Sequence, residues 1–402
     1  MDETKNKNVK KIILGIIITG IVVGIIICFV IACNNIRKAN EQENNTTTNT
    51  SSNSTNSNKM SNSTSSTNKD SSKNLNITSD GNYDLSGEYE SITISTSGEV
   101  ALNLNGVQIT SSDGPAINIE KAKKVTISLS GENKVTATTT EDLDGAIYSK
   151  ADLVFLGDGS LEVKSNYDGI VSKDTLVIKN GTYTVSSDDD GIRGKDSVEI
   201  QGGTFTINAG GDGIKASNDE DTSLGYVTIS GGTYNITAKS DGIQGITKVT
   251  ITGGIINISS SEGIEATYVK IDDGTINIEA SDDGINASQK SNTGTPTVEI
   301  NGGKITIKMG QGDTDGIDAN GNIYINGGTI DITGNSPFDY DVTAEYNGGT
   351  IIVNGETTNT ITNQFMGGGM NGGPQGDMQN NGGQQMVPNG GMMQNGGPQG
   401  RR

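Results

Sequence analysis

The feature that constrains this chain most is an internal repeat carried by two markers in phase. Residues 190–213, DGIRGKDSVEIQGGTFTINAGGDG, hold one full period, from the corner Asp190-Gly191-Ile192 to the next at Asp212-Gly213-Ile214. The same corner stands at Asp144, Asp168, Asp241, Asp283 and Asp315, with Glu262 once in the acidic place, most often 21 to 24 residues apart. A second marker, Gly202-Gly203-Thr204, keeps the same beat at Gly231-Gly232-Thr233, Gly327-Gly328-Thr329 and Gly348-Gly349-Thr350. Two markers with one period are the signature of a stacked-repeat architecture.

Between the markers the apolar residues alternate with period two, as strands require. Val198/Ile200 form one stripe, Phe205/Ile207 a second, and the corner Ile192 a third, each echoed in the neighbouring repeats. No window carries a helical period. The expected fold is therefore all-β, a right-handed parallel β-helix: a solenoid of three short strands per coil of about 22 residues, with Gly at corners that need positive φ. A β-propeller would need blades of about 40–50 residues. Two insertions, 215–225 and 286–296, follow the corner at the same point of the turn and should project on one side as walls of a groove.

A thin solenoid core also accounts for a composition of only 31% hydrophobic residues, with 57 Gly and no Trp. The formal charge of -20 excludes direct binding of nucleic acid. With no His, imidazole-ligated zinc and Ser-His-Asp chemistry are excluded. Cys28 and Cys33 are the only cysteines, and neither lies in the repeats, so no disulfide framework is available there.

Four parts follow from the order of the chain. Residues 1–33 are a membrane anchor or a lipoprotein signal. Lys5, Lys7, Lys10 and Lys11 precede an apolar run over 12–33, long enough to span a bilayer with the rest of the chain outside. Val30-Ile31-Ala32-Cys33 equally resembles a lipobox, which would lipidate Cys33. Residues 34–74 read as a disordered Asn/Ser/Thr stalk, 75–363 as the parallel β-helix domain, and 364–402 as a disordered Gly/Met/Gln/Asn tail.

Stacking places the corner acids about 4.8 Å apart in a ladder. Two bare carboxylates at that distance repel by about 1 kcal/mol in water and about 3.5 kcal/mol at an effective dielectric of 20. Either each Asp accepts hydrogen bonds from the amides of its own turn while the carboxylates splay into solvent, or some rungs hold Ca2+, which takes six to eight oxygens. The candidate metal ligands are Asp188, Asp189, Asp190, Asp212, Asp241, Glu262, Asp282, Asp283, Asp313 and Asp315, with Asp318 beside the last cluster. Candidate ligand-binding residues are Arg193, Lys195, Lys215 and Tyr226, with Tyr167 and Tyr268 as further stacking platforms.

The in-phase D-G-I and G-G-T repeats, the Asn/Ser/Thr stalk and the Gly/Met tail resemble a bacterial family of surface carbohydrate-binding β-helix proteins over roughly residues 75–360. That resemblance implies a pectate-lyase-like fold, bound calcium, and binding of cellulose or acidic sugars such as polygalacturonate. Expected partners are thus a polysaccharide (acidic glycan or cellulose) and, through the N-terminus, a membrane, on its extracellular face. A calcium-dependent, non-catalytic binder is the leading expectation. The alternatives are a pectate-type lyase, with Arg193, Lys195, Lys215 or Lys173 as base, and a structural surface protein or adhesin.

Overall fold

Alternating residues of the repeats become strands because one side of each can be buried and the other left in water. A computed structural model describes residues 73–312 and 314–363, and strands run from Asn74–Ile77 to Glu356–Thr358 with no helix among the described residues. The segments read from sequence as anchor or lipidated Cys33, nearly all of the stalk, and the tail from 364 on lie outside the described residues, as does Asp313.

Each repeat lays its strands in parallel on those of the repeat before it. Thr204–Ala209 pairs with Thr182–Ser187 on one side and Thr233–Ala238 on the other. Ser197–Ile200 pairs with Thr175–Ile178 and Tyr226–Ile229. Ile192–Gly194 pairs with Asp168–Ser172 and Ile214–Ala216. The all-β class expected from the repeats is therefore present, and the three parallel columns are compatible with a solenoid. One departure concerns two of the coils that lack insertions. There the corner strand runs straight into the next one, giving the long strands Asp241–Ile251 and Glu262–Ile271 instead of two short ones.

The register puts like on like. Val198 faces Leu176 and Val227, Ile192 faces Ile170 and Ile214, and all of these are fully buried. Phe205 lies between Tyr183 and Tyr234 with ring centroids at 4.9 and 4.7 Å and nearly parallel planes. Each buried aliphatic or aromatic side chain contributes roughly 1.5–3 kcal/mol, so one coil stabilises the next through a narrow apolar column. At the C-terminal end, Glu356–Thr358 folds back antiparallel on Thr350–Val353 and covers part of the last edge.

The two glycine markers serve different purposes, which corrects the expectation that the corners need positive φ. Gly203, in the Gly-Gly marker, does adopt φ 113°. The corner Gly191 does not; it is required because a Cβ there would lie 2.6 Å from the carbonyl oxygen of Gly213 and 2.6 Å from Cγ2 of Ile207. Corner backbones of successive coils thus touch directly. Gly191→Ala is expected to destabilise the chain by about 1–3 kcal/mol through overpacking; an unchanged denaturation midpoint in urea would refute this close approach.

Candidate functional site

The corner acids face a column whose occupants change along the stack. Asp168, Asp190, Asp212 and Asp241 are all buried. The first three each offer one carboxylate oxygen to the next coil: the amide of Asp190 donates to Asp168 Oδ1 at 3.0 Å, that of Asp212 to Asp190 at 2.9 Å, and that of Asp241 to Asp212 at 3.0 Å. The amide of Asp315 donates to Asp283 in the same way at 3.1 Å. The acids therefore serve the following coil rather than their own turn, and at these rungs the carboxylates do not splay into solvent.

The second carboxylate oxygen of each rung meets the side chain three residues after a corner. Strand pairing aligns those positions into one column: Arg193, Lys215, Gln244, Glu265, Asn286, Asp318 and Asp339. Its early members are cations. Arg193 donates from Nε to Asp168 Oδ2 at 2.6 Å, pairs with Asp144, and lies 3.6 Å from Asp190. Lys215 pairs with Asp212 at 2.7 Å and Asp190 at 3.3 Å, and Lys173 with Asp144 at 3.3 Å. Burial works against the charge of Arg193 and of Lys215, but the surrounding aspartates outweigh it and hold both cations more firmly protonated than usual. Burial lifts Asp190, with Lys215 pulling it back.

Later members of the column are neutral or acidic, and the balance reverses. Asp241, Glu262 and Glu265 bring carboxylate oxygens within 4.8 Å of one another. Gln244 donates to Asp241 and, at 3.2 Å, to Glu265. Among the described residues, Lys290 is the ammonium that pairs with this group, on Glu265. Burial, then the carboxylates of Asp212 and Glu265, raise Asp241; Glu265, although buried, is held low by Lys290. Burial and Glu265 push Glu262 up to about 7. One coil on, burial takes Asp283 to about 6, and burial with Asp283 and Asp315 takes Asp318 to about 7. Asn286 donates to both Glu262 and Asp283, at 3.1 and 3.2 Å, while its own buried Oδ1 has no hydrogen-bond partner.

The sequence-derived candidates therefore divide. Asp241, Glu262, Asp283 and Asp315 sit on the rungs with surplus negative charge. Asp190 and Asp212 sit where Arg193 and Lys215 already balance them; Asp189 approaches Asp168 and Asp190 but is exposed, and Asp188 and Asp282 are exposed too. Arg193 and Lys215, expected to meet ligand, are committed to the ladder. Lys195 reaches outward to Glu220 at 3.0 Å. Gln244, Glu265, Asn286 and Lys290 escaped sequence reasoning. The first three were recoverable by reading the fourth position of D-G-I-x down the repeats; Lys290 sits on an insertion, and only the folded loop brings it back.

A groove of about 550 Å3 opens beside this column. Its walls are the inserted loops 217–225 and 288–296, which leave the stack three coils apart. Thr247, Lys248, Thr267 and Tyr268 from the two intervening coils form its floor, with Tyr226 and Thr297 at the wall bases. Tyr226 donates to Glu199 at 2.9 Å and Tyr268 donates to Glu299, so both phenols are anchored at their tips. The loops are tied down as well: Asn218 donates to Asp196 at 2.7 Å, and Thr267 Oγ1 accepts from the amide of Ser291 at 2.9 Å.

A family model described as carbohydrate-binding domain-containing protein matches residues 71–268 and 260–363. Among solved structures, the polysaccharide lyase-like protein from C. thermocellum, in a gadolinium derivative, is 35% identical. The match covers 51% of this chain and 87% of that one, with a TM-score of 0.46. No curated protein matches the chain.

Proposed function

Because the chain belongs to the carbohydrate-binding domain-containing family, we propose that it binds an acidic polysaccharide through calcium, without cleaving it, from a right-handed β-helix held at the outer face of a membrane. The observation that carries the calcium reading is the run of carboxyls, buried at Asp241 and Glu265 and half-buried at Glu262, Asp283 and Asp318, set against Lys290. Carboxylates with a neighbouring amide oxygen, the unpartnered Oδ1 of Asn286, are the donor set of a hard cation. Calcium held by these residues would join protein carboxylates to uronate carboxylates, which lets so acidic a chain bind an acidic glycan. The membrane reading rests on Lys5–Lys11 followed by the apolar run 12–33.

Binding is favoured over lyase action by the state of the basic side chains. Abstraction of the proton next to a uronate needs a base that can lose its own proton. Arg193 and Lys215 are half-buried among Asp144, Asp168, Asp190 and Asp212, which keep them charged.

Polygalacturonate should retain the protein strongly when calcium is present and lose most of that retention when a chelator is added, with no rise in the ultraviolet absorbance of unsaturated products. Such a rise would make the chain a lyase. Absence of retention on polygalacturonate with calcium present would remove the acidic-glycan reading, and retention on cellulose alone would replace it with a neutral one.

A further inference from the structure

We propose that the groove between loops 217–225 and 288–296 is a second saccharide subsite, which holds an acidic sugar by stacking and a lysine rather than by calcium. The inference rests on the carbohydrate-binding reading above and adds to it a separate site with its own carboxylate receptor.

Three observations carry it. Strand register places Tyr226, Lys248 and Tyr268 on successive coils of one outward column. Their backbones are therefore about 4.8 Å apart per step, which puts the backbones of the two tyrosines about 10 Å apart. Secondly, the phenol tips are fixed on Glu199 and Glu299, so the rings are rigid surfaces that lose little entropy when a sugar's C–H face settles on them. Thirdly, Lys248 has no carboxylate of its own: Asp272 feels its charge but is hydrogen-bonded to Lys270 at 2.6 and 2.7 Å. Lys173, Lys215, Lys270 and Lys290 are each paired with a carboxylate. Lys248 instead lies 5.2 Å from the centroid of the Tyr268 ring, and among the described residues it forms no ion pair.

In a chain of charge -20, an ammonium left without a carboxylate at the floor of a groove is a receptor for one supplied by a ligand. The one-coil step from Tyr226 to Lys248 exceeds the reach from the centre of a pyranose ring to its own carboxylate by no more than an ion-pair contact. A uronate stacked on either tyrosine thus presents that group to Nζ. A neutral sugar keeps the stacking and loses the ion pair. Thr222, Ser223, Thr293 and Thr295 on the loops surround the groove with hydroxyls suited to the sugar's own.

The test is the affinity of the full-length chain for a short oligogalacturonide and for a cello-oligosaccharide, each with excess chelator and again with calcium. In chelator, the wild type should bind the uronide more tightly than the neutral oligomer. Lys248→Gln should weaken uronide binding by about tenfold and leave the neutral oligomer unchanged, while Tyr226→Ala and Tyr268→Ala should weaken both. Uronide affinity of Lys248→Gln within about twofold of wild type would overturn the proposal. Binding only with calcium would overturn it too, while leaving the calcium-dependent function standing; no uronide binding in either condition would bring down both.

Discussion

In chelator, the protein is expected to melt at a lower temperature at about pH 8 than at about pH 5, and saturating calcium at about pH 8 should raise the melting temperature by about 5–10 °C. The sign follows from the later coils. Glu262 and Asp318 are raised to about 7 and Asp283 to about 6, chiefly by burial. The folded chain therefore keeps protons that the unfolded chain, with ordinary carboxylates, has already lost. Stability from these groups is fully present below the unfolded carboxylate range and drains away as pH rises through about 6 to 7. Of the opposite shifts, that of buried Glu265 beside Lys290 subtracts from this slope, while those of Glu99 beside Lys123 and Asp221 beside Ser223 belong to exposed groups where solvent screens them.

Calcium favours the ionised carboxylates and should reverse the slope. A ligand at 100 times its dissociation constant stabilises by about 2.7 kcal/mol, and a domain of this size gains about 2–4 °C per kcal/mol. Scanning calorimetry at the two pH values, with and without calcium, checks both halves. A melting temperature that does not respond to calcium would remove the metal from the later coils. The same measurement on Lys215→Met should show a loss of stability that calcium does not restore, since that ammonium lies between Asp190 and Asp212 outside the surplus.

The second large effect belongs to the core. Phe205→Ala should cost about 3–5 kcal/mol, read as a lower denaturant midpoint with full loss of cooperativity between the flanking coils. Phe205 is completely buried and stacked on both faces, by Tyr183 at 4.9 Å and Tyr234 at 4.7 Å. Those rings cannot close the gap, because each is pinned at its hydroxyl: Tyr183 donates to the carbonyl of Asn180 at 2.8 Å, Tyr234 to that of Gly231 at 2.6 Å. In a stacked array a coil contacts only its neighbours, so a cavity at Phe205 weakens two interfaces at once. A loss below about 1 kcal/mol would mean that the aromatic stack is not what couples these coils.

Much of this was legible before any coordinates. The pairs Val198/Ile200 and Phe205/Ile207 are buried as their alternation requires, because in a parallel stack an inward residue stays inward in every repeat. The insertions at 215–225 and 286–296 build the groove walls for the same reason: an extra length at one point of the period has only one side on which to project. Tyr226 and Tyr268 were legible as candidate platforms, but Lys248 between them was not, since its significance depends on which acids lie within reach.

Length, alternation and the in-phase markers determined the all-β stack, its core columns and the presence of an acidic ladder, because these depend only on period. The tertiary structure alone decided which rungs of that ladder are already neutralised. Arg193 balances Asp168 and Asp144, acids 25 and 49 positions away, while Glu265 in the equivalent place adds charge instead. Such pairing is written across coils, in a register that exists only once the strands have stacked, and burial then turns a solvated row of aspartates into groups that need either a proton or a cation.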